Sequence, residues 1–424
     1  MSKVSVGSSP LAKNVASQYL MQAAKYIFPF LTLPYLARVL GSEAYAIRSY
    51  VLSLMTFAQT FADYGFLNYG TKEITEARKQ HKSISSVFSS VFYSKCFIIP
   101  FVFVGIVCIS MLLPITRRNI LYVVIAFSAV GLNALLPDYL FQGYEKMETI
   151  SFRFIVSKAL GAILTFLIVN SPDDLLLVPL IDLITSAFAL ALSLRSAKML
   201  FHISLDKFTF GPVLRAIKGS TQYFLSAACS TVLSSFSTLM VGLTRDGSVL
   251  ISVWSMSLSV INAFQAMYTP VSNSLYPHML MHADYRHLKR YMYITAPFAL
   301  ALSGLVALFS QQIITIFGGA EYSDGAYVLT IVAPVLFFSY FNIMIGWPVL
   351  GALKQVGQLS RSSFLAASFT IVSLGIAYVC GVLTIPLIAV IRSLTELLLA
   401  LIRLFYCRKA ISAEMGSAAD EEGR

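Results

Sequence analysis

Three lysines lie inside apolar stretches of the chain that are long enough to cross a bilayer: Lys25, Lys95 and Lys158. A cation within a spanning segment costs roughly 2.5–3.5 kcal/mol on insertion scales, so its side chain usually faces a bundle interior or a water-filled cavity. We expect each of the three to line such a cavity, with a purely structural role as the alternative. Several cavity cations together predict an anionic cargo.

Three arginines extend this candidate cationic cavity, and each also has a simpler explanation. Arg38 and Arg48 lie near the ends of their spans, where a long side chain reaches the headgroups. Arg153 lies close to the cytoplasmic start of its span, where positive charge anchors membrane helices. Headgroup contact or anchoring is the favoured interpretation for these three, and cargo binding is the alternative.

Acidic residues within the spans are candidates for ion coupling or gating. Asp182, in Pro-Leu-Ile-Asp-Leu-Ile, is the deepest acid of the amino-terminal half, and it either neutralises a cation or titrates. Asp63 lies near the end of its segment. Arg392 and Glu396 have the i,i+4 spacing of a helical ion pair, so a structural salt bridge is favoured for them.

Composition places these residues in a membrane protein. Of the 424 residues, 57% are hydrophobic and 12% are charged, whereas a soluble domain carries about 25% charged residues. The net charge of +11 comes mainly from loops on one predicted side, so membrane orientation explains it better than nucleic acid binding. The five Cys and five His show no metal-ligand spacing, and there is no nucleotide-binding loop or paired-carboxylate motif. We therefore expect no cofactor, no metal and no enzymatic activity.

Apolar windows of about 20 residues, the length that crosses roughly 30 Å of hydrocarbon, predict an all-α protein with twelve transmembrane helices. The windows are 15–40, 45–66, 87–113, 120–142, 150–169, 175–194, 219–243, 249–272, 291–316, 327–350, 362–382 and 384–406. Lys and Arg gather in alternate connections, which predicts that both termini are cytoplasmic. The polar start of the chain shows no secretory signal.

The longest connection divides six spans from six. Segments 67–86 and 196–216 mix bases with apolar residues, and each forms either an amphipathic helix at the cytoplasmic interface or a solvated loop. The end of the chain is polar, and we expect it to be disordered. The expected domains are an amino-terminal six-helix lobe (1–194), a cytoplasmic basic linker (195–218), a carboxy-terminal six-helix lobe (219–406) and a cytoplasmic polar tail (407–424).

Weak self-similarity relates the two halves. Ser17-Gln-Tyr-Leu20 recurs as Thr221-Gln-Tyr-Phe224, and Gly143 to Arg153 resembles Gly351 to Arg361. Because six helices per repeat is an even number, the lobes are expected to be parallel repeats around a central cavity. Transporters built from such halves place cargo between them and work by rocking.

Several stretches, in this order and spacing, carry a family resemblance. They are Leu33-Pro-Tyr-Leu-Ala-Arg-Val-Leu-Gly41, Ala62-Asp-Tyr-Gly-Phe66, Leu140-Phe-Gln-Gly-Tyr-Glu-Lys-Met147 and Pro270-Val-Ser-Asn-Ser-Leu-Tyr-Pro-His278. Together they resemble bacterial O-antigen flippases, the Wzx-type branch of the multidrug/oligosaccharidyl-lipid/polysaccharide exporter superfamily. The resemblance covers essentially the whole chain, including the division into six plus six spans.

The resemblance implies a flippase that moves undecaprenyl-pyrophosphate-linked repeat units of O-antigen or a related polysaccharide. The direction implied is from the cytoplasmic to the periplasmic leaflet of the bacterial inner membrane, by alternating access. The implied partners are the lipid-linked oligosaccharide, membrane lipids and, as candidates, a polysaccharide polymerase and a chain-length regulator. Asp63, within the family-like Asp-Tyr-Gly, is then expected to organise the cytoplasmic gate.

Three other functions stay open. A drug exporter of the same superfamily would use intramembrane acids for cationic cargo, whereas intramembrane bases outnumber acids here. A flippase for the peptidoglycan lipid precursor shares the lipid and the pyrophosphate but usually has more than twelve spans. A membrane glycosyltransferase or polymerase of the same pathway would need a large outer loop, and the predicted outer connections are short.

Overall fold

A computed structural model describes residues 10–422 of the chain, except 270, 273–274, 276–278, 280–284 and 354. All regular structure in these ranges is helical. Two 3₁₀ turns, Pro172–Leu176 and Ala320–Gly325, and one π-helical turn, Gly346–Gly351, accompany the α-helices. The α-helices are α1 (Pro10–Asp63), α2 (Phe66–Lys79), α3 (Ile84–Leu112), α4 (Pro114–Arg118), α5 (Ile120–Ala134), α6 (Asp138–Gly143), α7 (Met147–Ile168), α8 (Leu177–Phe201), α9 (Phe210–Val241), α10 (Ser248–Ala266), α11 (Tyr285–Leu308), α12 (Ser310–Gly318), α13 (Tyr327–Val332), α14 (Pro334–Ile345), α15 (Val356–Val379) and α16 (Ile385–Glu422).

Eight of the described helices are long and apolar enough to cross a membrane, and two bent helix pairs raise that number to ten. This count does not include α1, whose 54 residues divide at Gly41. At 1.5 Å per residue, each part of α1 is long enough for one further crossing of roughly 30 Å. The described helices therefore form a polytopic bundle, and the exact number of twelve spans stays a prediction.

The break in α1 lies where the sequence separates the first two predicted spans. Gly41 has φ 70° and ψ 176°, outside the helical region. A positive φ is accessible to glycine because it has no Cβ to clash with the following carbonyl. Pro29 and Pro34 lie within the first part of the helix. The hydroxyl of Tyr35, in that same part, donates to the carbonyl of Val169 at the end of α7.

A sharp corner joins α1 to α2. Tyr64 and Gly65 both have positive φ, 41° and 72°. The space around Gly65 is closed, because a Cβ there would come within 2.7 Å of the backbone nitrogen of Phe224. The ring of Tyr64 stacks on that of Phe224 at 4.6 Å between centroids. The corner is thus fixed against the amino-terminal part of α9, which belongs to the same compact unit.

The helix after this corner confirms the helical alternative for segment 67–86. In α2, Phe66, Gly70, Ile74 and Ala77 are buried at helical spacing. The basic side chains Lys72, Arg78 and Lys79 are exposed. This is the pattern of an amphipathic helix. Its buried face packs on α6 and α3.

The first compact unit comprises Met1–Ala228. Within it α1 packs on α5 and α7, and α8 packs on the same two helices. Large apolar side chains point outward from these helices; Leu121 of α5 and Leu167 of α7 are 57% and 69% exposed. Such surfaces are typical of helices that face lipid. The charged side chains treated below include both buried and exposed ones.

The second compact unit comprises Cys229–Arg424. Within it α16 packs on α13, α14 and α15, and α11 packs on α14. Trp254 of α10 is fully buried, and its indole N–H donates to the hydroxyl of Thr238 at 3.0 Å. The indole is an amphipathic ring whose polar atom needs such a partner when buried.

Two expectations about the connections are wrong. Segment 196–216 is not one amphipathic helix, since α8 continues through Phe201, ends at the left-handed His202, and α9 begins at Phe210. The described part of the polar tail is not disordered, because α16 continues through Glu422. Ala, Glu and Met in the tail are strong helix formers that prolong an existing helix. The two compact units divide within α9, and the predicted lobe boundaries stay a prediction.

Candidate functional site

A buried ion pair joins α6 to α7 in the first unit. The two terminal nitrogens of Arg153 donate to the two carboxylate oxygens of Asp138 at 2.5 and 2.9 Å. One of these nitrogens also donates to the Ser193 hydroxyl of α8 at 3.1 Å. Bidentate pairing is the strong form of an Arg–carboxylate contact. Asp138 is also the first residue of α6, where the helix dipole favours an anion.

Lys95 lies beside this pair, on α3. Its side chain is 4% exposed, and Nζ donates to the carbonyl oxygen of Leu136 at 2.9 Å. The ammonium is 5.2 Å from the centroid of the Tyr139 ring. It interacts electrostatically with both Asp63 and Asp138. The contacts of Lys95 are therefore internal to the first unit, and its place in a water-filled cavity stays a prediction.

Asp63 completes a group that we call the interior charge cluster: Asp63, Lys95, Asp138 and Arg153. Asp63 ends α1, is hydrogen-bonded to the side chain of Gln59, and interacts with Lys95 and Asp138. Two carboxylates and two bases make the cluster formally neutral. Ions removed from water are tolerated when they are paired and hydrogen-bonded, so neutrality suits the interior of a unit. The gating role of Asp63 stays a prediction.

Lys25 lies at the edge of the interior charge cluster. Its side chain is exposed, on the first part of α1. Its Nζ is 6.0 Å from the centroid of the Phe154 ring of α7, a cation–π distance, and it interacts electrostatically with Asp138. Because the cluster is already neutral, Lys25 adds a positive charge at a surface that solvent or a ligand can reach.

The remaining candidates of the first unit lie apart from the cluster. Lys158 of α7 and Arg38 of α1 are exposed, and Arg48 is half-buried. The guanidinium carbon of Arg48 is 5.8 Å from the ring of Tyr45. Asp182 of α8 is exposed, and both it and Arg48 interact electrostatically with the buried Tyr122. Arg48 and Asp182 thus lie near one aromatic residue.

A second charged group, the α16 cluster, lies inside the second unit and comprises Asn342, Arg392, Glu396 and Arg403. Arg392 and Glu396 form the expected i,i+4 ion pair, at 2.8 Å, and both are buried. Asn342 of α14 donates to a carboxylate oxygen of Glu396 at 2.5 Å. Arg403 donates to the carbonyl of Asn342 at 2.6 Å.

The candidates drawn from the sequence did not include Arg403 or Asp138. Arg403 stands in Leu-Ile-Arg-Leu-Phe within the last predicted span, so its intramembrane position was readable. Its partners were not, because they are a main-chain carbonyl and the hydroxyls of Ser362 and Ser363 on α15. Asp138 lies outside any sequence motif, and only the fold places it against Arg153.

Metal ligation has no support among the described residues. In the described ranges no group of three or more His, Cys, Asp or Glu side chains is arranged to hold a metal ion. The carboxylates of both clusters face bases and amides, which are donors that compete with a metal for the oxygens.

Comparison with known proteins assigns the family. A family model described as "Polysaccharide biosynthesis protein" matches residues 11–283. The chain belongs to this family. It is 24% identical over 350 residues to a protein of Escherichia coli (strain K12) named "Putative O-antigen transporter", covering 80% of this chain and 83% of that protein. A Shigella dysenteriae protein of the same name is 24% identical over 367 residues, covering 84% and 90%.

Solved structures share the fold at low sequence identity. The lipid II flippase MurJ, in an inward closed conformation, matches with a TM-score of 0.71 and 15% identity, over 93% of this chain and 87% of that chain. An inward-facing multidrug MATE transporter matches with a TM-score of 0.62 and 14% identity, over 93% and 95%. These matches confirm the all-α polytopic membrane fold, and the family match confirms the resemblance to polysaccharide flippases. The relatives are transporters, in agreement with the expectation that this chain is not an enzyme.

Proposed function

We propose that this protein is a flippase for an oligosaccharide repeat unit linked through pyrophosphate to undecaprenol, of the O-antigen or a related polysaccharide. Membership of the polysaccharide biosynthesis family supports a role in moving such a unit. The two relatives named as O-antigen transporters support the same cargo class. Alternating access between two lobes is part of the proposal.

The observation that carries the cargo proposal is the exposed cation on α1. Lys25 is exposed beside an interior charge cluster that is already neutral, so its charge is available to an external anion. A pyrophosphate entering hydrocarbon without compensation would cost several kcal/mol or more. We propose that Lys25 offsets this cost, with exposed Lys158 and half-buried Arg48 as further contacts and Arg38 as a headgroup anchor.

The orientation is also part of the proposal. We place both termini and α2 in the cytoplasm and the 3₁₀ turn Pro172–Leu176 in the periplasm of the inner membrane, because basic connections gather on the first side. Single cysteines at Gln80 and at Asp173, in a variant without the five native cysteines, test this. An impermeant maleimide should label the Asp173 position in intact spheroplasts and the Gln80 position only after lysis. The reverse pattern would invert the proposed topology.

The functional test is complementation of a deletion of the gene. The deletion strain should accumulate lipid-linked repeat units in the inner leaflet and lose surface polysaccharide. Loss of the repeat units themselves would point to a transferase. Accumulation of peptidoglycan precursor would point instead to that lipid as the cargo, and unchanged polysaccharide with increased drug sensitivity would point to drug export.

Variants of Lys25 then test the charge. Lys25→Ala should lower surface polysaccharide by at least tenfold, and Lys25→Arg should retain part of it, because the charge persists. Lys72→Ala is the matched control, since Lys72 is an exposed lysine of α2, away from the cluster. Membrane levels of each variant are measured by immunoblot. Normal polysaccharide with Lys25→Ala at normal levels would refute the cargo role of this residue.

A further inference from the structure

The fourth predicted span of each half is interrupted near a proline. In the first unit α5 ends at Ala134, and Pro137 precedes the start of α6 at Asp138. In the second unit α14 ends at Ile345 and passes into the π-helical turn Gly346–Gly351, which contains Pro348. A proline supplies no N–H, so a carbonyl of the preceding turn loses its usual helical partner. We call these two interruptions the Pro137 joint and the Pro348 joint.

At the Pro137 joint, the carbonyl oxygen of Leu136 accepts a hydrogen bond from a lysine ammonium and not from a backbone amide. In a continuous helix the carbonyl of Leu136 would accept from the amide of Leu140, but that amide donates to Pro137 instead, at 3.0 Å. The Leu136 carbonyl accepts from Lys95 Nζ at 2.9 Å. Lys95 reaches it from α3 with 4% of its side chain exposed. An unpaired carbonyl in hydrocarbon costs several kcal/mol, which explains why the ammonium is held there.

At the Pro348 joint a cation also reaches a main-chain carbonyl, but here the carbonyl keeps its helical partner. The carbonyl of Asn342, four residues before Gly346, accepts from the Gly346 amide and in addition from a terminal nitrogen of Arg403 at 2.6 Å. Arg403 reaches it from α16 and also donates to Ser363 on α15 at 3.1 Å. Gly346 makes room for the guanidinium, because a Cβ there would lie 3.3 Å from that same nitrogen. A cation at the carboxyl end of a helix also interacts favourably with the helix dipole.

The two joints correspond in the internal repeat. Gly143, which ends α6, and Gly351, which ends the π-helical turn, are the first residues of the two similar segments noted in the sequence. The Pro137 joint lies shortly before Gly143 in the chain, and the Pro348 joint lies shortly before Gly351. The capping cations differ in type and in helix of origin, Lys95 from α3 and Arg403 from α16. Capping of the interrupted span by a cation is therefore common to both halves even though the residue that supplies it is not.

We propose that Lys95 and Arg403 are positioning residues that hold matched joints in the fourth helix of each half, through main-chain carbonyls. Their charges are directed to the protein's own backbone, so cargo binding is left to the exposed cations. The joints are the places where these two spans can bend during transport. This inference does not depend on the identity of the cargo.

Hydrogen–deuterium exchange of the full chain in lipid nanodiscs tests the proposal without any cargo. Lys95→Met removes the donor and keeps the length of the side chain. Because a hydrogen bond from a charged group is lost, we expect amide exchange over 138–146 to rise roughly ten- to a hundredfold. Arg403→Met should have the same effect over 346–353. Lys158→Met, an exposed lysine of α7, is the control and should leave both segments unchanged.

A second pair of variants separates joint capping from general loss of packing. Pro137→Ala restores an N–H and favours a continuous helix, so Lys95→Met in that background should raise exchange less than twofold. Gly346→Ala keeps Arg403 but crowds its guanidinium, and should reproduce the effect of Arg403→Met. Unchanged exchange in Lys95→Met, or an equally large rise in the Pro137→Ala background, would overturn the proposal.

Discussion

Removing Asp138 should destabilise the first unit more than removing its partner Arg153. Asp138→Asn leaves Arg153 and Lys95, which already repel each other, facing Asp63 alone. Arg153→Met leaves Asp138 with two nearby cations, Lys95 and Lys25. The Asp138 side chain is also 25% exposed, so water can screen its charge once Arg153 is gone. The two single variants therefore leave unequal charge imbalances in the interior charge cluster.

The magnitudes follow from the burial of the pair. Breaking a buried ion pair by removing one partner costs about 3–5 kcal/mol. We expect Asp138→Asn near the upper end of this range and Arg153→Met near the lower end. In the double variant no guanidinium is left without a counter-ion, so it should be less destabilised than Asp138→Asn alone. For a unit of this size, each kcal/mol of lost stability lowers the midpoint of thermal unfolding by about 2–4 °C. Asp138→Asn should therefore lower that midpoint by roughly 10 °C or more.

Thermal unfolding in detergent, followed by the loss of helical circular dichroism, measures the effect. Asp173→Asn, at an exposed acid of the 3₁₀ turn, is the control and should leave the midpoint unchanged. If Arg153→Met were as damaging as Asp138→Asn, or if the two effects simply added, the argument from charge balance would be refuted.

Two further predictions concern packing. Gly65→Ala should cost about 2–4 kcal/mol, because it combines a positive φ with a Cβ in contact with the backbone of α9. Gly375→Ala, at a helical glycine with open space, is the control and should cost nothing. Equal midpoints of thermal unfolding for the two variants would contradict the close packing of Gly65 against α9. Thr238→Val should lower stability by about 1–3 kcal/mol because it leaves the buried indole N–H of Trp254 without an acceptor. Thr238→Ser should restore most of the loss, and a valine variant as stable as the parent would show that the hydrogen bond contributes little.

Hydropathy and loop charge were enough to predict the class of fold and several element boundaries. The separation of the first two spans falls at Gly41, and segment 67–86 contains the amphipathic helix α2. Both signals are local: a glycine between apolar runs, and an apolar stripe at helical spacing. The extent of the tail helix was not predicted, because polarity was taken as a sign of disorder although Ala and Glu favour a helix.

The surroundings of the candidate site were harder to predict. Lys25 and Lys95 look alike in sequence, each a lysine within an apolar run, yet Lys25 is exposed and Lys95 is 4% exposed. A helix with apolar residues on all sides has no polar stripe from which the direction of a single lysine can be read. The partner of Lys95 is a main-chain carbonyl freed by a break in another helix, and no side-chain pattern encodes that contact.

The distribution of charge argues for an anionic cargo more strongly than the number of bases does. In the first unit the interior charge cluster is formally neutral, so the exposed Lys25 beside it adds a positive charge. Within the α16 cluster, Arg392 and Arg403 face the one carboxylate of Glu396. A cationic drug near either group would meet repulsion in a low dielectric, where charges interact strongly. A pyrophosphate beside Lys25 would instead be attracted, so the exposed charge of the first unit favours the cargo that we propose.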